Sequence, residues 1–539
     1  MPYLLHQTID QAAERRPDHE AVRFDGEGLT YAELVRRSNQ LARVLRDHGV
    51  QRGDRVGFYM DKHLNTAVAL YGIMKAGAAY VPLDPTAPSA RIEFILRDCG
   101  IRHLITDADH RSVVRELVEE STELDLVVGD EPGEDLPVPT RTWDDVMTAP
   151  PTPPSVQLTE LDLSYVLYTS GSTGTPKGVT HTHRSALSFA ETAVRAYGFQ
   201  PEDRLSNHAP LHFDLSTLDF FATARAGATV VMIPEAYTKV PASLSQLMED
   251  EQLTVLYVVP LVLTHLLEHG ALEQRDLQSL RWVLFGGEPF PPKHLRRLMK
   301  QWPHARFGNV YGPTETNGVT HHVFPALNED DGPLPDDDPL PIGRPYGNVE
   351  TLVLGPDDTP VPNGEPGELA IRAPSMMRGY WNQPDLNATA FYHRSAPAGF
   401  EDVFYRTGDL VRRDEDGVYH FLGRKDRQVK VRGYRVELAE VEAALLRHPA
   451  VQGAAAYAMP DADGTKRIEA AVTLEPDASD EAAREDEIRD EAARYLPSYA
   501  LPDPIAIIDR FPRTSTGKID RQALQERAAS PASSTAPLG

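Results

Sequence analysis

Short apolar runs alternate with amphipathic stretches over most of the chain, and that alternation restricts it to α/β layers with largely parallel sheets. Tyr165–Thr169 reads as a buried strand and Ser185–Ala196 as a helix. Val255–Val259 and Trp282–Phe285 are predicted strands, each followed by a predicted helix, Leu261–His269 and Pro291–Gln301. Beyond Arg424 the pattern changes. Helix Leu438–Leu446, strand Val451–Tyr457, helix Glu481–Tyr495 and strand Ile505–Ile508 predict a separate α+β domain of roughly 100 residues. The chain has 539 residues, so two to four structural units are expected. Two Pro- and acid-rich stretches, 130–156 and 328–341, read as surface connections. The residues from 526 to 539 are small and polar and are expected to form a disordered tail.

The most informative stretch follows the strand ending at Thr169. Thr169, Ser170, Gly171, Ser172, Thr173, Gly174, Thr175, Pro176, Lys177 and Gly178 crowd glycine and hydroxyl residues around a single lysine. Glycines let backbone N–H groups approach phosphate oxygens, hydroxyls add donors, and Lys177 supplies a point charge. Pro176 before Lys177 and Gly178 after it rule out a Walker loop, which needs Gly-Lys-Ser/Thr. A flexible linker is the competing reading, but such linkers rarely follow a hydrophobic strand directly.

Composition narrows the setting. One cysteine, Cys99, excludes a disulfide framework and a cysteine zinc site within the chain and suits a reducing compartment. No apolar run reaches the roughly 18 residues of a membrane span, and the N-terminus turns charged too early for a signal peptide. A cytoplasmic protein is expected. A net charge of -26 argues against general nucleic-acid binding.

The phosphate loop resembles that of the acyl-adenylate-forming superfamily, which comprises adenylation domains, acyl-CoA ligases and luciferases. The resemblance runs from Leu29 to Arg521 through ordered motifs: Leu29–Leu34, Lys75–Asp84, Asn309–Glu315, Gly367–Leu369, Arg378–Tyr380, Tyr405–Leu410, Gly423–Gly433 and Thr516–Arg521. It implies an α/β fold: a large N-terminal region of layered subdomains over 1–425, binding ATP and an amino acid, and a small mobile C-terminal α+β domain over 426–525 carrying a catalytic lysine.

It also implies chemistry. A carboxylate is a poor electrophile, and joining it to the α-phosphate of ATP makes AMP a good leaving group. Nucleotidyl transfer of this kind depends on positioning and charge stabilisation. Lys518 resembles the family lysine that bridges α-phosphate and substrate carboxylate. Thr314 resembles the hydroxyl near the α-phosphate, and Glu315 the acid that helps hold Mg²⁺, which prefers hard oxygen ligands. Asp409 and Arg424 match ribose contacts, and Tyr311 a ring stacked on adenine. Asn309, Gly312 and the turn Gly286-Gly287-Glu288 would border the nucleotide. His321 and His322 lack further ligands and read as structural.

His212-Phe213-Asp214-Leu215-Ser216 resembles the branch that adenylates amino acids, in which an Asp meets the substrate α-ammonium, because a buried ammonium needs a paired anion. A helix N-cap is the competing role for Asp214. The remaining pocket positions carry over as Leu215, Leu218, Tyr257, Leu284, Gly286, Val310, Gly318 and Val319, with Lys518. Walls without charge beyond Asp214 and Lys518 imply a small neutral side chain, of the proline or alanine class. The first pocket positions are similar to those of free-standing prolyl ligases; Gly286, Gly318 and Val319 depart from that pattern.

Only 18 residues follow Arg521, too few for a carrier domain, so a free-standing enzyme is expected. It would release pyrophosphate, form an aminoacyl-AMP and pass the acyl group to the phosphopantetheine thiol of a separate carrier protein in natural-product biosynthesis. Asp426 matches the hinge about which the small domain rotates between half-reactions. The alternative is an AMP-forming acyl-CoA ligase for a small non-amino acid.

Overall fold

The computed structural model describes every residue except 1, 120–122, 130–135, 172–173, 327–338, 396–398, 462–464, 476–484, 514–518 and 530–539. The chain divides into two compact units. The first comprises Met1–Pro85, Ile95–Tyr168 and Gly178–Lys425, and the second Thr86–Phe94, Thr169–Lys177 and Asp426–Gly539.

Among the described residues, the first unit is built on two large sheets and a smaller antiparallel one. The centre of the nine-stranded sheet is parallel. In spatial order it runs through Arg306–Tyr311, Trp282–Gly286, Val255–Val258, Arg204–Asn207, Thr229–Met232 and Glu20–Phe24. Antiparallel strands flank it on both sides: Thr320–Phe324 and Arg344–Pro345 at one edge, Glu27–Thr30 at the other. In the eight-stranded sheet, Leu163–Thr169, Ala79–Pro82, Arg55–Tyr59, His103–Thr106, Leu126–Gly129 and Thr140–Thr142 pair in parallel. Strands buried on both faces read as continuous apolar runs, which is why Ala79–Pro82 and Val255–Val258 show no alternation.

Helix Leu64–Lys75 is buried along its whole length, as its apolar composition demands. It meets helix Tyr31–Asp47 so closely that a Cβ on Gly72 would lie 2.8 Å from Leu41. Helix Tyr31–Asp47 starts at a reciprocal cap: Thr30 Oγ1 accepts from Glu33 N at 3.2 Å, and the Glu33 carboxylate accepts from Thr30 N at 2.9 Å.

The third sheet is antiparallel. It pairs Glu350–Leu354, Pro366–Arg372, Glu401–Arg413 and Phe391–Ser395, with Tyr419–Arg424 also on Glu401–Arg413. Its register sets Asp409 opposite Arg424.

The second unit is α+β. A hairpin, Gln428–Val431 with Tyr434–Glu437, precedes helix Leu438–Leu445. Strands Val451–Pro460 and Lys466–Leu474 pair antiparallel, and Ile505–Ile507 adds in parallel. Val441, Leu445, Val472, Ile488 and Ala492 form its core.

Two expectations need correction. The stretch 130–156 is not merely a connection: Thr140–Thr142 joins the eight-stranded sheet, and Trp143–Thr148 is a capped helix burying Trp143 and Val146. Residues 526–529 of the expected tail at 526–539 are helical instead, part of helix Arg521–Ala529; the rest of that stretch lies outside the described residues. Most of 328–341 lies outside them as well.

Candidate functional site

The C-terminal halves of parallel strands in the nine-stranded sheet carry Tyr257, Leu284, Gly286, Asn309, Val310 and Tyr311. In open α/β sheets the C-terminal strand ends are where ligands bind. Strand Trp282–Gly286 ends at Gly286, whose added Cβ would lie 2.1 Å from the Val310 carbonyl oxygen, so only glycine fits beside strand Arg306–Tyr311. Gly287 follows at φ +94°, in the region glycine favours.

Tyr311, Asp409 and Arg424 meet. The Tyr311 hydroxyl donates to Asp409 Oδ2 and the Arg424 guanidinium to Asp409 Oδ1, both at 2.5 Å. Arg424 also donates to the Thr407 carbonyl at 3.1 Å, and Asp409 N donates to Thr407 Oγ1 at 3.0 Å. Burial and the neighbouring Asp409 carboxylate push the Tyr311 hydroxyl far above its usual range, so it acts as a donor. Asn309 has its side-chain amide on the Pro341 carbonyl at 2.9 Å.

Glu315 is fully buried. Tyr380 Oη donates to it at 2.7 Å and is linked to Tyr405 Oη at 3.1 Å. The Thr314 carbonyl accepts from His181 Nε2 at 2.8 Å. Burial lowers the His181 imidazole to about 4, so Nε2 carries the proton of a neutral ring. Tyr380, Thr407 and Tyr405 lie within motifs noted in the sequence, but their link to Glu315 and Asp409 could not be read there. His181 had no such signal.

Asp214 precedes the short helix Leu215–Thr217 and makes no side-chain cap bond to it. Burial pushes the hydroxyls of Tyr165 and Tyr257 up, and the charge of the Asp214 carboxylate adds to the push on both. Leu218, Tyr257, Leu284 and Val310 share one apolar cluster, and Leu215 packs against it. A Cβ on Gly318 would lie 3.0 Å from Val310. Val319 is buried in a cluster with Ile342, Val353 and Leu369, against which Tyr311 packs, and its N–H donates to the Tyr311 carbonyl at 2.8 Å. His321 stacks on Tyr346 with ring centroids 4.4 Å apart.

The glycine-rich loop belongs to the second unit. Ser170 Oγ donates to the Arg435 carbonyl at 2.8 Å and accepts from Glu437 N at 3.1 Å. A Cβ on Gly171 would lie 1.8 Å from the Thr175 carbonyl oxygen. Lys177 is buried, and Thr169 Oγ1 is buried without a hydrogen-bond partner among the described residues. Ser172, Thr173 and Lys518 lie outside those residues.

Comparison with known proteins identifies the family. The family model for AMP-binding enzymes matches residues 9–381, and that for the AMP-binding enzyme C-terminal domain matches 440–518. The L-proline–[L-prolyl-carrier protein] ligase of Pseudomonas fluorescens is 34% identical over 522 residues, 97% of this chain and 98% of that protein. Tyrocidine synthase 2 of Brevibacillus parabrevis is also 34% identical, and the match spans 99% of this chain but 14% of that protein. Among solved structures, the amide bond synthetase McbA of Marinactinospora thermotolerans superposes with a TM-score of 0.84 at 26% identity, covering 97% of this chain and 99% of that one. The Vibrio cholerae adenylation domain AlmE shares the fold with a TM-score of 0.83 at 24% identity over 98% of both chains. No described helix is long and apolar enough to cross a membrane. The chain belongs to the AMP-binding enzyme family, the ATP-dependent, AMP-forming ligases.

Proposed function

We propose that this ligase activates a small neutral amino acid, of the proline or alanine class, as its aminoacyl-adenylate, and then passes it to the phosphopantetheine thiol of a separate carrier protein. The observation that carries this reading is Asp214: a carboxylate that makes no side-chain cap bond to the helix it precedes, whose charge reaches the buried hydroxyls of Tyr165 and Tyr257, and whose neighbour Leu215 packs on the apolar cluster. A carboxylate so placed is matched to an ammonium, and the apolar walls offer a charged side chain no counter-ion. The carrier step is supported by the prolyl-carrier ligase that matches over nearly its whole length.

In the first half-reaction a carboxylate oxygen of the amino acid attacks the α-phosphorus of ATP, the bond to the β-phosphate oxygen breaks, and pyrophosphate leaves. Asp214 orients the amino acid by its ammonium. The Tyr311–Asp409–Arg424 group offers carboxylate lone pairs to ribose hydroxyls and a ring to the base. Lys518 would stabilise the charge shared by the α-phosphate and the attacking carboxylate. Glu315 is the residue that would hold Mg²⁺, which neutralises charge on the phosphates. Its donor type fits, since Mg²⁺ commonly takes one or two carboxylates and completes its shell with phosphate oxygens and water. Among the described residues, the grouping of three acidic or imidazole side chains near enough to share an ion is Asp61, Asp107 and His110, which includes no candidate site residue. In the second half-reaction the thiolate attacks the acyl carbon and AMP leaves.

The test is pyrophosphate exchange over a panel of amino acids. Asp214→Ala should lose at least ~100-fold in amino-acid activation while ATP affinity stays near wild type, because removing one partner of a buried charge pair costs several kcal/mol. Normal activation by the variant would remove the ammonium role and favour an acyl-CoA ligase, which a parallel assay with free CoA and small carboxylic acids would detect.

A further inference from the structure

The helical segment from Leu215 to Ala226 is not uniform. Leu215–Thr217 and Thr223–Ala226 are α-helical, but Leu218–Ala222 forms a π turn. A π turn inserts one residue into the helix and occurs mostly at functional sites. Here it carries Leu218, one of the side chains clustered with Tyr257, Leu284 and Val310, and next to it Asp219.

Asp219 is completely buried. Its Oδ2 accepts from Asn207 Nδ2 at 2.9 Å, and its carbonyl accepts from Thr223 Oγ1. Asn207 ends the strand Arg204–Asn207. The carbonyls of Asn207 and His208 accept from Lys62 Nζ at 2.9 and 2.8 Å. A polar chain therefore runs from Lys62 through Asn207 to the π turn. Burial pushes the Asp219 carboxyl well above the usual carboxylate range, against the Asn207 bond and the Lys62 charge. Burial likewise lowers the Lys62 ammonium to about 8.

This chain is a poor device for stability. Asp219 Oδ1, Asn207 Oδ1 and His208 Nε2 are buried with no hydrogen-bond partner among the described residues. Unpaired buried polar atoms are unfavourable, and an apolar filling would avoid them. Its position suggests another use. Tyr257 N donates to Ser206 Oγ at 3.1 Å, one residue before Asn207. The Tyr257 hydroxyl also feels the carboxylates of both Asp214 and Asp219.

We infer that Asp219 is a positioning residue of the amino-acid pocket: held by Asn207, which Lys62 anchors, it fixes the π turn that places Leu218 in the apolar cluster it shares with Tyr257 and so limits the side chain the enzyme accepts. The inference rests on the amino-acid reading of the pocket. Without the Asp219–Asn207 bond the segment can relax toward a regular helix. That turns Leu218 out of its present place in the cluster and changes the pocket wall.

The experiment measures pyrophosphate exchange with alanine, proline, leucine and phenylalanine for the wild-type chain, Asp219→Ala, Asp219→Asn and Lys62→Met, with thermal melts of each. Asp219→Ala should raise KM for the preferred small amino acid and lower its kcat/KM advantage over leucine or phenylalanine by about 10-fold, the scale at which pocket size discriminates side chains, with KM for ATP unchanged. Asp219→Asn keeps an oxygen for Asn207 Nδ2 and should restore wild-type selectivity. Lys62→Met should shift selectivity in the same direction, which keeps the test alive if Asp219→Ala does not fold. Unchanged selectivity in folded Asp219→Ala or in Lys62→Met overturns the inference. So does an equal loss of ATP and amino-acid affinity that Asp219→Asn does not restore. A wild-type chain that exchanges pyrophosphate with no amino acid overturns the proposed function and this inference together. Normal wild-type exchange, lost in Asp214→Ala but unshifted in the Asp219 and Lys62 variants, removes only the inference.

Discussion

His181 is uncharged at neutral pH because burial disfavours its imidazolium, and its neutral ring joins the Thr314 carbonyl to Ser185 Oγ, 3.1 Å from Nδ1. The unfolded chain takes up a proton on this ring near 6.5, the folded chain only near about 4. Between those values the unfolded state binds more protons, so stability falls as pH falls through that window and levels off below it. A shift of this size corresponds to roughly 3 kcal/mol. Denaturant unfolding from pH 7 to 4 should show this decline, and His181→Gln should flatten it by a comparable amount. A slope unchanged by the substitution would mean that other buried imidazoles, such as His183 and His208, dominate. At this scale the sequence was partly readable. Asp214 and Asp409 stand in motifs whose chemistry requires a carboxylate, so their identity pointed to a role. The Tyr380–Glu315 bond joins residues 65 apart in the chain, and no local pattern encodes such a meeting.

Elements were readable where their period was strong. Helix Pro292–Gln301 and strand Val255–Val258 lie within a residue of the expected spans, because one-sided apolar spacing and continuous apolar runs leave few alternatives. Strand Thr140–Thr142 and helix Trp143–Thr148 were hidden by surrounding proline and acid. The decisive signal there was a short one: Thr142 and Asp145 capping each other, with the apolar Trp143 and Val146 on the turn they start. The π turn at Leu218–Ala222 was unreadable for a different reason: over so few residues an apolar pattern does not separate 3.6 from 4.4 residues per turn. Caps, in contrast, make sharp predictions. Thr30→Ala removes the acceptor for Glu33 N, at the start of a 17-residue helix that carries none of the candidate site residues. Equilibrium unfolding should show a loss of about 1 kcal/mol. Pyrophosphate exchange should be unaffected, and a change in its KM values would show that this helix communicates with the site.

At the scale of the whole molecule the division between Lys425 and Asp426 matters most. Asp426 Oδ1 accepts from Gln428 N at 3.1 Å, a local bond of the kind that shapes a turn. Under the proposed two-step reaction, Asp426→Pro fixes φ at the joint and removes this side chain. It should leave pyrophosphate exchange near wild type and abolish loading of a holo carrier protein. Lys518→Ala should do the reverse, losing roughly 100- to 1,000-fold in exchange while transferring pre-made aminoacyl-adenylate at the wild-type rate. Equal loss of both half-reactions in both variants would exclude a pivot at Asp426. The nine-stranded sheet has a further consequence, one of time. Strand Glu20–Phe24 pairs in parallel with Thr229–Met232, Val22 opposite Val230. During synthesis the N-terminal hairpin therefore leaves the ribosome with one edge bare and waits for a partner made roughly 200 residues later, some 10–40 s at ordinary elongation rates. The eight-stranded sheet draws most of its strands from the intervening segment and can assemble during that interval. The strands of this hairpin are thus among the last to be locked in place, and a nascent chain that ends before Thr229–Met232 exposes a sheet edge that the finished enzyme covers.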